Sequence, residues 1–135
     1  MSDIVIPRRV IEQIIAHCKA CYPHEACGIL SGKENIVEDA YEMTNTEPSP
    51  VSYYIDPQEQ FRAMKAMRAE GQRMVAIYHS HPQSPPYPSR KDVSLAFYPD
   101  AVYVIVGLTN LAAPDIRAFT IIEGKIHEVV VHVHS

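Results

Sequence analysis

The sequence has no long apolar run, no internal repeat, no low-complexity tract and no excess of positive charge, and each absence removes a class of protein. No stretch approaches the ~20 apolar residues of a membrane-spanning helix. The first residues, MSDIVIPRRVIEQII, place Arg8, Arg9 and Glu12 where a secretory signal requires an unbroken apolar core. Cysteine is scarce. Three, an odd number, cannot all pair internally, which together with the missing secretory segment makes a reducing, cytoplasmic setting the expectation. A net charge of −4 argues against a broad nucleic-acid-binding surface, so neither a nucleic acid nor a membrane is expected as a partner. No linker divides the chain. Its 135 residues, 47% of them hydrophobic, suit a single domain over 1–135, which buries roughly two-thirds of its unfolded surface and folds without disulfides. Histidine, by contrast, is plentiful: there are seven.

The pattern along the chain alternates helices and strands. Residues 7–22 are expected to form an amphipathic helix, with Pro7 in its first turn, Val10, Ile11, Ile14, Ile15 and Cys18 at helical spacing, and Pro23 as its stop. Residues 26–31 (ACGILS) have a buried-strand pattern, and Gly32-Lys33-Glu34-Asn35 forms a turn into a strand over 36–44. A loop over 45–50 and a short strand over 52–55 follow. Asp56 caps a helix that starts at Pro57 and runs to Gly71. Residues 74–79 are a strand and 81–88 a loop stiffened by proline. Ser89 opens a short helix to about Tyr98, with Asp92 in the capping-box position. A central strand over 101–108 precedes two strands, 117–122 and 126–133, joined through Glu123-Gly124. Strands interleaved with about three helices make the expected fold class α/β (α+β).

The densest chemistry is Tyr78-His79-Ser80-His81-Pro82, followed by Ser89 and Asp92. Two residues apart on a strand, His79 and His81 project from one face, so their imidazoles can converge on one ion at the ~2.0–2.1 Å of a zinc–nitrogen bond. Pro82 cannot extend a ladder, which puts both rings at a strand end, open to a cleft. Asp92 supplies an oxygen ligand if the proline-rich loop folds back. Two histidines and a carboxylate leave a fourth position for water, the pattern of a catalytic zinc; a solvated strand end accommodates the same two histidines. A catalytic centre also needs a general base. Glu25 opens a buried-strand pattern, where a carboxylate is costly without a charge partner; by spacing alone it is equally an exposed strand-end carboxylate. Two other zinc patterns are excluded. His24-Glu25 has no second histidine at H-E-x-x-H spacing, and the sole C-x-x-C, Cys18 to Cys21, precedes the glutamate where a nucleobase deaminase needs the reverse.

Together these residues resemble the JAMM motif of the MPN-domain (JAB) metalloproteases. His79-Ser80-His81-Pro82, Ser89 and Asp92 stand at matching spacing, and Glu25 within EACGIL matches the upstream catalytic glutamate. The similarity covers nearly the whole chain. The nearest type is the short prokaryotic one, some members of which cleave peptides from the C-terminus of ubiquitin-like sulfur-carrier proteins. The resemblance implies a mixed, curved β-sheet packed around helices, related to cytidine deaminases. It implies that His79, His81 and Asp92 hold one zinc with a water completing the tetrahedron. Glu25 would take that water's proton and return it to the leaving amine, and Ser89 would donate a hydrogen bond to the oxyanion. The implied function is a zinc-dependent metallopeptidase or isopeptidase acting at the C-terminus of a ubiquitin-like or sulfur-carrier protein. The alternative from another class is a zinc-containing MPN interaction module, latent alone, that recruits partners. An intact Glu25 favours the enzyme, because a structural zinc site needs no base.

The remaining histidines and cysteines call for no chemistry. Cys18 lies on the apolar face of the first helix, Cys21 near its end and Cys27 in a core strand, which reads as packing. His132 and His134, with His127 before them, share a final strand expected to be solvated, as terminal strands are often edges. The oligomeric state is open, a homodimer included.

Overall fold

The computed structural model describes residues 1–135. Seven strands close into a barrel in the order β1-β3-β2-β4-β5-β6-β7. In the chain they are β1 (Asp3–Pro7), β2 (Cys27–Lys33), β3 (Ile36–Met43), β4 (Arg73–His81), β5 (Val102–Gly107), β6 (Asp115–Ile122) and β7 (Lys125–His134). Three helices, α1 (Arg8–Cys21), α2 (Pro57–Ala69) and α3 (Arg90–Ser94), lie between them. β1 pairs parallel with β3 and β7, and β4 parallel with β5; the other pairs are antiparallel. No helix is long and apolar enough to cross a membrane. The mixed sheet and helices match the expected class, and the curvature goes as far as closure.

Closure follows from burying α1. Its stripe at helical spacing, Val10, Ile14 and Cys18, is fully buried and belongs to one core cluster with residues from all seven strands, among them Ile6, Leu30, Val37, Tyr78, Val104, Ala118 and Val129. The opposite face of the sheet is covered too. Cys27 and Ile29 of β2 meet Ala63 and Met67 of α2, while Ile77 and Tyr103 meet the segment after α3 at Ala96 and Tyr98. β2, β4 and β5 are therefore buried on both sides, which explains why they read as unbroken apolar runs.

Five local expectations need correction. Pro7 is the extended last residue of β1 (φ −60°, ψ 144°), and α1 begins one residue later. β1 has no local signature, because five residues next to a helix carry little periodicity; its main partners are Val130 to His134, more than a hundred residues away. Residues 52–55 form no strand, only a single bridge between Asn45 and Ile55. The Asn45 side chain takes over instead, its Oδ1 accepting from Tyr54 N (3.0 Å) and Glu47 N (2.9 Å) and its Nδ2 donating to Ser52 O (3.1 Å). α3 stops at Ser94, well short of Tyr98, as Tyr98 N turns away to donate to Tyr103 Oη (3.2 Å). Finally, β7 is no edge: β1 lies on one side and β6 on the other. The Asp56 cap is as expected, accepting from Gln58 N (2.8 Å) and Glu59 N (3.3 Å).

Gly28 of β2 stands opposite Tyr78 of β4, and a Cβ at position 28 would fall onto the Tyr78 ring, which is wholly buried. The ring has nowhere to go, because its hydroxyl is paired with His17 Nδ1 (2.6 Å). Gly28→Ala is expected to destabilise the fold by about 1–3 kcal/mol, measured as a lowered urea midpoint; an unchanged midpoint would show the ring to be mobile.

Candidate metal centre

His79 and His81 are the last two outward-facing residues of β4, and Pro82 ends the ladder directly after them. The strand end is not solvated: they are 1% and 2% exposed. Their Nε2 atoms lie 3.1 Å apart. Asp92 Oδ2 sits 3.2 Å from the first and 3.0 Å from the second. These three side chains form the candidate metal-binding triad.

The proline-rich loop brings the carboxylate across. Pro85 O accepts from His81 Nδ1 (2.8 Å), Tyr87 packs edge-on against Phe119, and Pro86 lies against Gly107, whose missing Cβ would come within 2.8 Å of the proline ring. α3 then opens with a reciprocal capping box. Ser89 Oγ accepts from Asp92 N (3.1 Å), and Asp92 Oδ2 accepts from Ser89 N (2.9 Å). The box sets the Asp92 rotamer. It also leaves the Ser89 hydroxyl hydrogen free to donate elsewhere, since the cap uses only a lone pair.

The donor set fits a tetrahedral divalent ion. A carbonyl can only accept, so His81 Nδ1 carries the proton and its Nε2 lone pair points at Asp92 and His79. Three electron-rich atoms 3.0–3.2 Å apart nearly reproduce the ~3.3 Å edge of a tetrahedron with ~2.0–2.1 Å bonds. His79 Nδ1 is buried without a partner, and the ring is held by Tyr53, stacked on it at 4.6 Å. Burial lowers the His79 pKa below its usual value, with Asp92 pulling the other way. Burial opposes the charge on His81 and on Asp92 as well. The hydrogen bond that a protonated His81 ring gives Asp92, aided by Pro85 O, nevertheless raises the imidazole, and the two imidazoles with Ser89 N–H hold the carboxyl well below the ordinary carboxylate range.

Glu25 is buried at 3% exposed, which removes the strand-end alternative. Its backbone is clamped on both sides: Glu25 N donates to Ser49 O (2.7 Å), and Glu25 O accepts from Asn45 Nδ2 (3.1 Å). The next residue is tied to β4 between the two histidines, as Ala26 N donates to Ser80 Oγ (2.8 Å) and Ser80 N to Ala26 O (3.1 Å). Glu25 Oε1 has no partner. Desolvation pushes the carboxyl pKa up to about 8, although the charge of His81 pulls it down. Asn45, Tyr53 and Pro85 support the site but carry no motif, and Ser80, though inside the histidine motif, shows its role only by contact with Ala26 across the fold.

Of the other sequence candidates, Cys27 stands next to the centre as the register partner of His79, in a core cluster separate from that of Cys18, and burial pushes both thiols up to about 12; Cys21 is half-buried, and no disulfide forms. His127, His132 and His134 are exposed, and His132 Nε2 makes only a surface pair with Asp3 (3.3 Å).

Residues 7–122 match the family of prokaryotic homologs of the JAB domain. The chain belongs to that family. A CysO-cysteine peptidase of Mycobacterium tuberculosis is 39% identical over 132 residues, covering 96% of this chain and 90% of the relative. A probable TtuB-protein conjugate cleaving protease of Thermus thermophilus is 36% identical, covering 90% and 78%. A solution structure from Desulfitobacterium hafniense superposes with a TM-score of 0.90 at 34% identity, covering 98% and 93%. A JAB1/MPN domain protein from Archaeoglobus fulgidus, 19% identical with a TM-score of 0.67 over 99% of this chain and 100% of its own, shares the fold. The resemblance to the JAMM/MPN family and the JAB-type fold are thus borne out.

Glu25 also sets a pH signature for the metal-free protein. Its folded pKa of about 8 exceeds the ordinary 4.5, so between these values the folded state holds a proton that the unfolded state has released. Stability therefore falls as pH rises through this window. Metal-free Glu25→Gln should match wild type near pH 4.5 and exceed it at pH 7.5 by on the order of 1–3 kcal/mol. A difference independent of pH in urea unfolding would contradict the buried, neutral carboxyl.

Proposed function

We propose that this JAB-family protein is a zinc-dependent peptidase that hydrolyses an amide bond at the C-terminus of a ubiquitin-like or sulfur-carrier protein. One observation carries the reading: three ligand atoms converge within 3.2 Å beside a buried carboxyl whose Oε1 has no partner. The relatives' names, a peptidase for a CysO–cysteine linkage and a protease for TtuB conjugates, support the substrate class.

In this reading His79, His81 and Asp92 hold the ion, and two nitrogens with one oxygen suit zinc. When bound, zinc supplies Lewis acidity toward the scissile carbonyl and makes water more acidic. Glu25 accepts the proton of the attacking water at Oε1 and delivers it to the leaving amine, and its raised pKa suits a group that must both take and release a proton near neutrality. Ser89, its lone pair engaged by Asp92 N, donates its free hydrogen to the oxyanion. Burial of Glu25 also weighs against a latent binding module, which would gain nothing from an unpaired carboxyl at 3% exposure.

The test is processing of sulfur-carrier proteins bearing short C-terminal extensions, followed by intact mass. The zinc-loaded protein is expected to remove the extension. Glu25→Gln should lose turnover with its zinc retained, and His79→Ala should lose the zinc itself. Ser89→Ala should lower kcat by about 10²–10³-fold. Loss of zinc from Glu25→Gln, or a full zinc complement in His79→Ala, would overturn the assigned roles.

A further inference from the structure

α1 ends at Cys21 and β2 starts at Cys27, so Glu25 lies in a connection that no helix or strand contains. Its Oε1 has no partner, and the place of the carboxyl is therefore decided by the main chain that bears it. Both main-chain polar groups of Glu25 pair with one segment: N donates to Ser49 O (2.7 Å), and O accepts from Asn45 Nδ2 (3.1 Å). That segment has a single bridge, Asn45 to Ile55, and the Asn45 side chain draws its two arms together. Oδ1 accepts from Glu47 N (2.9 Å) and Tyr54 N (3.0 Å), while Nδ2 donates to Ser52 O (3.1 Å) as well as to Glu25 O. Two lone pairs and two hydrogens are engaged, the full capacity of an amide. Ser52 and Tyr54 flank Tyr53, the ring stacked on His79 at 4.6 Å. One half-buried side chain thus joins the main chain of the base to the segment that flanks a metal ligand.

We propose that Asn45 is a positioning residue of the reaction, its amide fixing the main chain from which the Glu25 carboxyl works. The inference rests on the peptidase reading above. Asn45 acts through Glu25 and not on the substrate. The two halves of its amide are separable by an isosteric change. Asn45→Asp keeps an oxygen for Glu47 N and Tyr54 N, so the turn of the segment survives. It loses both donors: where Nδ2 stands 3.1 Å from two carbonyl oxygens, a charged oxygen repels both. The Glu25 main chain is then released, and a displacement of the carboxyl by ~1 Å costs about 10²-fold in rate. Were the turn the only role of Asn45, Asn45→Asp would leave kcat unchanged.

Two measurements test this. In the first, amide hydrogen exchange of the zinc-loaded protein is followed by NMR. In Asn45→Asp the Glu25 N–H is expected to exchange about 2- to 10-fold faster, the effect of one lost hydrogen bond, while Ile29 of β2 and Ile77 of β4 keep their protection. Unchanged exchange at Glu25, or equal acceleration at Ile29 and Ile77, overturns the inference whatever the catalytic outcome. In the second, cleavage of extended sulfur-carrier proteins is measured together with zinc content. Asn45→Asp should keep its zinc, lose about 10²-fold in kcat and change KM by less than about threefold. Wild-type kcat despite faster exchange at Glu25, a loss confined to KM, or loss of zinc overturns the positioning role and leaves the peptidase reading standing. Should the carboxylate prevent folding, Asn45→Ser is read by the same criteria, because its hydroxyl falls one bond short of Glu25 O. No cleavage by wild type, with faster exchange at Glu25 in the variant, overturns the peptidase reading and supports the tie between Asn45 and Glu25.

Discussion

Three electron-rich atoms, two imidazole nitrogens and a carboxylate oxygen, are held 3.0–3.2 Å apart where water is nearly excluded. They repel one another unless a cation or a proton lies among them, and much of the surrounding architecture withstands that repulsion. β4 is laddered on both sides, antiparallel to β2 and parallel to β5, up to the residues that bear the imidazoles. Pro85 O orients one ring and Tyr53 flanks the other. The capping box fixes Asp92 through two backbone hydrogen bonds of its own helix. Five residues of helix would be marginal alone; docked by the proline loop, they aim one carboxylate.

Glu25 shows the opposite balance. Its backbone is fully engaged, through Ser49, Asn45 and the Ala26–Ser80 pair, while its carboxyl lies buried with Oε1 unpaired. Packing for stability alone would place an apolar residue here. A rigid main chain around an unsatisfied side chain is the arrangement expected where proton transfer, and not cohesion, determines the residue.

How much of this was legible in the chain varied with the reach of each signal. His79, His81, Ser89 and Asp92 were visible because strand periodicity, a proline stop and a helix cap are local rules acting over a few residues. The Asp56 cap and the Glu123-Gly124 turn, where both residues take positive φ, were visible for the same reason. Glu25 stood out only through family resemblance, and its burial needed the fold. Asn45 defeated the expectation of a strand over 52–55, because its side chain satisfies the backbone that a ladder would otherwise pair. β1 and the closed barrel depended on pairing Asp3–Pro7 with the far end of the chain, which no local pattern encodes.

By itself the sequence determined the residue types able to bind a metal, their order, and the short-range geometry that puts two imidazoles on one face. It also determined that α1 must bury a stripe at Val10, Ile14 and Cys18. Only the tertiary structure decided that this burial closes the sheet, that the strand end is dry, and that a carboxylate from beyond the proline loop arrives within 3.2 Å of both rings. The division has a physical cause. Caps, turns and strand alternation act between neighbours, whereas desolvation and convergence of charge arise from groups distant in the chain, and so exist only once the chain has closed on itself.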